Sequence, residues 1–360
     1  MNPNSRLKQV TERVRGCLIG GAIGDALGAP VEFDSLDSIR ARSGEAGVTD
    51  YLPAYGLDGG AITDDTQMTL FTAEGFIRAR NRMSDRGICN VDSVVHRAYI
   101  RWLITQSYET EYVDADFSED PPSGWLVTQE ILHSRRAPGN TCIAALRSRR
   151  ERSIERTIND SKGCGAVMRA APAGIIGTTP GEAFDFGILS GAITHGNPSG
   201  YLPAGVLASI VFQVVRGATL EEAIEEARSL LCQHDGHEET LDFIDAAAAL
   251  AANGLPSPEA IETLGGGWMG HDALAISLCC ALAADDYEEG VLCAVNHSGD
   301  SDSTGSITGN LLGALLGEGA IPKRWIERLE ALEVISTVSD DLASAALGPG
   351  YISLDRYPTW

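Results

Sequence analysis

The segment His297–Gly317 reads HSGDSDSTGSITGNLLGALLG and joins an acidic start to a regular row of glycines. Asp300 and Asp302 stand one residue apart and precede Ser303, and glycines follow at positions 305, 309, 313 and 317. A spacing of four places these glycines on one face of a helix. Each glycine inside a helix costs about 1 kcal/mol relative to alanine. The row therefore predicts that another backbone approaches this helix closely.

Two upstream segments match these two features. Residues 16–28 read GCLIGGAIGDALG, with glycines again at every fourth position. Residues 61–75 read AITDDTQMTLFTAEG, in which Thr63, Asp64 and Asp65 directly precede a helical pattern. We expect the two glycine-faced helices to pack together in the core. That packing is expected to bring the two acidic helix starts close to each other.

The acidic clusters allow two interpretations. Either cluster alone could cap its helix, because carboxylates in a first turn accept from free N–H groups and interact favourably with the helix dipole. Two clusters that both carry hydroxyl residues favour instead a site for Mg²⁺ or Mn²⁺, which prefer oxygen ligands. Asp25 and Glu32 follow the first glycine row, and either could be a surface or a capping residue. Glu32 could also add a carboxylate to the cation site.

The composition favours tightly packed helices. Of the 360 residues, 44% are apolar but only 6% are aromatic, and neither an alternating β pattern nor a repeat of fixed period is evident. We predict one all-α domain over residues 12–350, between a flexible N-terminal tail (1–11) and a C-terminal tail (351–360). The pattern predicts a first helix at Glu12–Gly28, and separate helices at Lys323–Val338 and Asp340–Leu347.

The net charge of −23, from 50 acidic and 27 basic residues, argues against binding to nucleic acid or to an anionic membrane. We find no stretch apolar enough to span a membrane and no apolar signal core at the N-terminus. The eight cysteines form no C-x-x-C pair, which predicts reduced thiols in a cytoplasmic protein. The basic region Arg135–Arg156 could be a solvated helix face or a contact surface for phosphate or an acidic partner.

Two polar loops are further candidates for binding. Gly163–Gly177 reads GCGAVMRAAPAGIIG and could be an ordinary loop before a helix, or a loop whose N–H groups receive phosphate. His195–Tyr201 reads HGNPSGY, where His195 could be a capping or core residue, or a substrate contact. Cys164 is not expected to be a nucleophile, because no base sits beside it in the sequence. His297 could support the neighbouring acidic cluster or be purely structural.

Six ordered segments together resemble the ADP-ribosylglycohydrolase family, which includes dinitrogenase reductase-activating glycohydrolases and ADP-ribosylarginine hydrolases. They are GDALG, TDDTQM, GCGAVMRAAP, THGNPSGYL, GWMGHDAL and GDSDSTG, and they lie between residues 16 and 317. The resemblance implies a compact orthogonal helical bundle with a binuclear Mg²⁺ (or Mn²⁺) centre. It also implies hydrolysis of the N-glycosidic bond between ADP-ribose and a protein side chain.

The resemblance also implies roles for individual positions. The implied metal ligands are Thr63, Asp64, Asp65, Asp300, Asp302 and Ser303. The implied catalytic carboxylates are Asp64 and Asp65, and Glu32 matches an early acidic position of the family only loosely. The implied substrate-binding residues are Gly163, Cys164, Gly165 and Ala166, whose N–H groups would hold the diphosphate, together with His195 and Asn197 at the ribose or phosphate.

The loop sequences resemble the arginine-specific hydrolases most closely. Many other relatives carry Asn at the position of Cys164 and Thr at the position of Ser303. The implied substrate is therefore a protein ADP-ribosylated on arginine. Three alternatives stay open: an immunity protein against an ADP-ribosylating toxin, a catalytically weak protein that binds ADP-ribose or blocks a toxin, and a hydrolase of another ADP-ribosyl linkage.

Overall fold

The computed structural model describes residues 3–108, 123–148, 156–348 and 350–359. Its helices are Pro3–Gly28 (α1), Leu36–Ser43 (α2), Asp64–Arg86 (α3), Val91–Thr105 (α4), Asn140–Arg147 (α5), Ala171–Ile176 (α6), Pro180–Ala192 (α7), Pro198–Val215 (α8), Leu220–Leu231 (α9), Glu238–Ala251 (α10), Pro258–Ile261 (α11), Gly270–Ala283 (α12), Tyr287–Val295 (α13), Ser301–Leu316 (α14), Lys323–Ile326 (α15) and Leu332–Leu347 (α16). Across these ranges only two isolated β-bridges occur and no strand forms. The all-α prediction is confirmed.

The two glycine-faced helices, α1 and α14, pack antiparallel at the centre of the molecule. A Cβ atom built at Gly16, Gly20 or Gly24 would lie 2.3, 2.5 or 1.9 Å from the carbonyl oxygen of Gly313, Gly309 or Gly305, respectively. These distances leave no room for a side chain, so the glycines allow direct backbone contact. The same register places Gly28, at the end of α1, against the backbone of Ser301, at the start of α14. Gly317, the last glycine of the second row, follows the end of α14 and has a left-handed φ of +83°.

Other helices surround this central pair. α7 packs along α8, α4 along α3, and α12 lies against both α8 and α14. α8 is long and apolar enough to cross a membrane by composition alone, but 89% of it is buried inside the protein, as in the core helix of a globular domain. Asn197 caps α8 and Pro198 occupies its first turn, so this helix begins a turn earlier than the polar sequence HGNPSGY suggests.

The two predicted tails differ from the structure. α1 begins at Pro3, so most of the segment expected to be a flexible tail continues the first helix. The C-terminal segment docks on α3, where the buried Asn81 donates to the carbonyl oxygens of Ile352 and Tyr357 at 2.8 and 2.9 Å. This contact satisfies a buried amide and holds the tail in place. Met1, Asn2 and Trp360 lie outside the described residues.

The last two helices also have other boundaries than the pattern predicts. α15 ends at Ile326, and α16 runs without interruption from Leu332 to Leu347. Ala331 adopts a left-handed φ of +58°, which separates the two helices at this point. The predicted break at Ser339 is absent: this residue lies inside α16, where its hydroxyl donates to the Ile335 carbonyl oxygen at 2.7 Å.

Candidate active site

The starts of α3 and α14 meet at the point where α1 ends. Asp25, fully buried in the last turn of α1, accepts from the backbone N–H groups of Thr63 and Thr66 at 3.0–3.1 Å, and from the Thr66 hydroxyl at 2.5 Å. Asp25 therefore caps α3 from outside that helix. Because α1 is also in register with α14, this one carboxylate fixes the position of one acidic helix start relative to the other.

The carboxylates form a connected cluster. Glu32, Asp300 and Asp302 each offer an oxygen atom, and these three atoms lie within 4.8 Å of one another. Burial raises the pKa of both Asp64 and Asp65, and the nearby charge of Asp302 raises it further. The predicted approach of the two acidic helix starts is therefore present in the structure.

The cluster has a high electrostatic cost when all its groups are ionised. Burial, followed by the charges of Asp302 and Asp300, raises the pKa of Glu32 to about 10. Burial and then Asp302 raise the pKa of Asp25 to about 7. Burial is also the largest cause that raises the pKa of Asp64, Asp65 and Asp300. Full ionisation of these neighbouring, buried carboxylates is therefore unfavourable unless cations offset their charge.

The residues of this cluster fit a hard divalent cation. The Oδ1 atom of Asp65 is buried and has no hydrogen-bond partner in the described part of the chain. The donors are carboxylate and hydroxyl oxygens, which suit Mg²⁺ and Mn²⁺. Ser303 lies among them, with its N–H donating to the carboxylates of Asp300 and Asp302. The Thr63 side chain accepts from the N–H of Asp65 at 3.3 Å and caps α3.

The cluster forms one wall of a cavity of about 530 Å³. Phe33 and Trp268 stand at its mouth with their rings stacked, the centroids 5.1 Å apart. Phe33 is 71% exposed and has a φ of +70°, an uncommon conformation for an aromatic residue. Tyr108 also lines the cavity, and the Arg135 guanidinium lies over its ring at 4.6 Å. The mouth of the cavity thus combines stacked aromatic rings with a cation over a third ring.

The glycine segment lines the same cavity and adjoins the acidic cluster at Cys164. Gly163, Cys164 and Gly165 line the cavity, whereas Ala166 is fully buried and is not among the described lining residues. The N–H of Cys164 donates to the Trp268 carbonyl oxygen at 3.0 Å, and that of Gly163 donates to the Ser161 hydroxyl at 3.3 Å. Two of the four N–H groups implied to hold a diphosphate are therefore already engaged.

Cys164 joins the glycine segment to the acidic cluster. Its thiol lies 2.8 Å from the Oδ2 atom of Asp300 and 3.7 Å from the Ser303 hydroxyl. Burial, followed by the charge of Asp300, raises the pKa of this thiol well above its ordinary value. A thiol in this environment stays protonated and is a poor nucleophile, in agreement with the sequence-based expectation.

His195 and Asn197, the two residues of the HGNPSGY loop implied to bind substrate, differ in their position relative to the cavity. His195 is 1% exposed and lines the cavity, whereas Asn197 is not among the described lining residues. Asn197 caps α8 by accepting from the Ser199 N–H and donates to Asp160 at 2.7 Å. His297 is fully buried and its Nε2 lies 3.0 Å from the Thr304 hydroxyl. It therefore holds the loop before α14 and does not line the cavity.

The basic region does not form one surface. Arg136 is buried and pairs with Glu330 at 2.9 Å, while Arg135 and Arg147 both lie over the ring of Tyr108. Only Arg135 of these lines the cavity. Arg149, Arg150 and Arg152 lie outside the described residues.

Several residues at the site were not singled out from the sequence. Phe33, Tyr108 and Met168 line the cavity, as does the loop Ala137–Asn140, whose Gly139 N–H donates to Asp64 at 3.2 Å. Phe33 directly follows Glu32, so its position next to a candidate carboxylate could have indicated that it lies at the site. Tyr108 and the 137–140 loop carry no local pattern that distinguishes them from other loop residues.

Comparison with known proteins gives matches over most of the chain. The sequence model described as ADP-ribosylglycohydrolase matches residues 6–350. The "ADP-ribosyl-[dinitrogen reductase] glycohydrolase" of Rhodospirillum rubrum is 25% identical, over 89% of this chain and 91% of its own. The "ADP-ribosylarginine hydrolase Tri1" of Serratia proteamaculans is 23% identical, over 92% and 79%.

A solved structure, the "ADP-ribosylglycohydrolase-related protein complex", superposes with a TM-score of 0.65 at 24% identity. The superposition covers 94% of this chain and 99% of that one, which supports the fold. The family match extends over nearly the whole chain and includes every carboxylate of the cavity. The chain therefore belongs to the ADP-ribosylglycohydrolase family, whose members hydrolyse linkages to ADP-ribose.

Proposed function

We propose that this protein hydrolyses the N-glycosidic bond between ADP-ribose and arginine side chains of ADP-ribosylated proteins, with two Mg²⁺ ions (or Mn²⁺) at the acidic wall. The observation that carries this proposal is the polarity of the cavity. Five carboxylates line the cavity together with the glycine segment and the buried His195. ADP-ribosylarginine carries matching groups, because its guanidinium is cationic and its diphosphate is anionic.

The acidic wall would receive the ribose next to the bond that breaks. Thr63, Asp64, Asp65, Asp300, Asp302 and Ser303 are the proposed metal ligands. When bound, the ions supply charge neutralisation, orientation of the ribose hydroxyls and a lowered pKa for a bound water. Among the chain's own groups, we assign the general-base role to Asp64, Asp65 or Glu32. Glu32 is half-buried, whereas the two aspartates are buried, so it is the most accessible of the three.

The mouth of the cavity suits an arginine side chain. A carboxylate such as that of Glu32 matches the planar fork of a guanidinium. The stacked rings of Phe33 and Trp268 lie at the same mouth, and aromatic faces attract guanidinium groups. Phe33 is the residue next to Glu32 in the chain, so both kinds of contact are available to one side chain of a protein substrate.

The glycine segment suits the diphosphate. With the N–H groups of Gly163 and Cys164 engaged and Ala166 buried away from the cavity, the N–H of Gly165 is the proposed donor of this segment. His195 lies beside the segment, and Arg135 adds a positive charge at the rim. With the diphosphate at this segment and the guanidinium at the carboxylates, the proposed orientation of the ligand places its scissile bond at the acidic wall.

A comparison of linkages tests the proposal. We would incubate the enzyme with Mg²⁺ and one carrier protein ADP-ribosylated either on arginine or on serine, and measure released ADP-ribose. We expect release from the arginine-linked substrate at a rate at least about 10-fold higher, because only this linkage offers a guanidinium to Glu32. Preferred release from serine would establish a hydrolase of another linkage. ADP-ribose binding without release from either substrate would establish a binding or toxin-blocking protein.

A further inference from the structure

Arg169 is a buried cation without an anionic partner. It is fully buried, and its guanidinium donates to the Ser190 carbonyl oxygen at 3.1 Å, to the Thr194 hydroxyl at 2.7 Å and to the Cys142 sulfur at 3.3 Å. It also lies over the ring of Tyr99 at 4.3 Å. Among the described residues it forms no ion pair. Because burying an unpaired charge is costly, its presence beside the cavity calls for a reason.

The Thr194 hydroxyl, which accepts a hydrogen bond from Arg169, also contacts the imidazole of His195. The Thr194 Oγ1 atom lies 2.8 Å from the Nδ1 atom of His195 and 3.5 Å from the carbonyl oxygen of Gly191. A threonine hydroxyl carries a single hydrogen, and Arg169 can only donate to it. Of these two acceptors Nδ1 is the nearer, which favours donation of the hydrogen to Nδ1 over donation to the Gly191 carbonyl oxygen. This leaves the ring proton of the neutral imidazole on Nε2.

The Nε2 atom faces the cavity. His195 is 1% exposed, and its Nε2 makes no hydrogen bond within the part of the chain that the structure describes. Gly163 and Gly165 leave this edge of the ring open, because a Cβ at either position would approach it to 3.2 or 3.1 Å. The Nε2–H group is therefore a donor on the cavity wall, available to an acceptor oxygen of a bound ligand.

We propose that Arg169 is a positioning residue that acts through Thr194 to hold His195 as an Nε2–H donor for a ligand oxygen. The identity of the ligand, ADP-ribose, rests on the proposed function, whereas the tautomer belongs to the protein alone. Burial, followed by the charge of Arg169, lowers the pKa of His195 to about 3, so the imidazole is neutral at physiological pH. His195 then binds through an N–H and serves neither as a base nor as a metal ligand through Nε2.

The first experiment reads the tautomer in the ligand-free protein. The ¹⁵N chemical shifts of the seven histidines distinguish Nε2–H from Nδ1–H rings, and a His195→Asn variant assigns the signal. We expect the Nε2–H tautomer of His195 between pH 6 and 8 in the wild type and in Thr194→Ser. In Thr194→Val we expect the population to shift towards the Nδ1–H tautomer. An Nδ1–H ring in the wild type, or an unchanged ring in Thr194→Val, would overturn the relay.

The second experiment measures ADP-ribose binding by calorimetry. Thr194→Val is expected to weaken binding about 10-fold, the effect of one hydrogen bond, and Thr194→Ser to restore it to within about 2-fold. Arg169→Lys should shift the tautomer and weaken binding. The matched control, Arg101→Lys, alters another buried arginine outside the cavity. It should change neither the tautomer of His195 nor the affinity for ADP-ribose. A wild type with the Nε2–H ring that fails to bind ADP-ribose would refute the proposed function but support the relay.

Discussion

The contact between Gly24 and Gly305 links packing to catalysis. A Cβ at Gly24 would lie 1.9 Å from the Gly305 carbonyl oxygen, whereas ordinary van der Waals contact begins near 3.4 Å. Gly24→Ala must therefore move α14 away from α1 by roughly 1.5 Å. Overpacking of this kind costs about 1–3 kcal/mol, of which the better helix propensity of alanine recovers up to about 1 kcal/mol.

The displacement falls one turn from the carboxylates. Asp302 lies three residues before Gly305, and misplacement of a catalytic group by about 1 Å can cost 100-fold in rate. We therefore expect Gly24→Ala to lower kcat/KM for ADP-ribose release by about 100-fold, with a melting temperature only a few degrees lower. The assay is ADP-ribose release at saturating Mg²⁺, combined with calorimetric melting of the same preparation.

Gly16→Ala is the matched control. Its Cβ would lie 2.3 Å from the Gly313 carbonyl oxygen, a similar clash on the same face. Gly313 is eleven residues from Asp302, which is about 16 Å along the helix. We expect a comparable loss of melting temperature but less than about 10-fold loss of activity. Equal activity in the two variants, or a wild-type melting temperature in Gly24→Ala, would refute the link between close packing and site geometry.

Three further predictions concern the site. Because the pKa of Asp25 is raised to about 7 and that of Glu32 to about 10, the folded protein holds these protons more tightly than the unfolded chain does. The melting temperature of metal-stripped protein should therefore fall as pH rises from 7 to 9, a range in which His195 does not titrate. Bound Mg²⁺ should suppress this fall. A melting temperature that rises with pH in the metal-stripped protein would contradict the prediction. Cys164→Ser should retain ADP-ribose release within about 5-fold of the wild type, because the thiol stays protonated and is not a nucleophile. Complete inactivation would show that the reaction needs the thiol. Phe33→Ala should leave the melting temperature unchanged, since this side chain is 71% exposed, but raise KM for the protein substrate about 5-fold; an unchanged KM would remove Phe33 from the substrate contact.

The central packing could be predicted because its signal is local and repeated. Glycines at every fourth position in two segments have few explanations other than a close approach of two backbones, and α1 and α14 show that approach. The acidic starts of α3 and α14 could be placed near each other for the same reason. The capping role of Asp25 could not, since it depends on the angle at which α3 meets α1 and no sequence spacing encodes that angle.

The rest of the site comes from side chains whose positions tertiary packing decides. Arg169 lies in an apolar segment and meets Thr194 only because α7 packs beside that segment. Phe33 adopts a left-handed backbone conformation that its sequence neighbours do not predict. Asn197 looked like a ligand contact in the polar loop, but its side chain caps the helix that begins one residue later. Local chemistry predicted the right loop, and packing decided which of its residues faces the cavity.

The most direct test of the account is metal-dependent release of ADP-ribose from a protein ADP-ribosylated on arginine. We would compare the wild type with Asp302→Ala, each in Mg²⁺ and in EDTA, with Asp50→Ala as a control that removes an exposed carboxylate paired with Arg328. We predict release by the wild type and the control in Mg²⁺, and at least about 100-fold less in EDTA or in Asp302→Ala. An Asp302→Ala enzyme with full activity and unchanged Mg²⁺ dependence would contradict the assignment of the acidic wall.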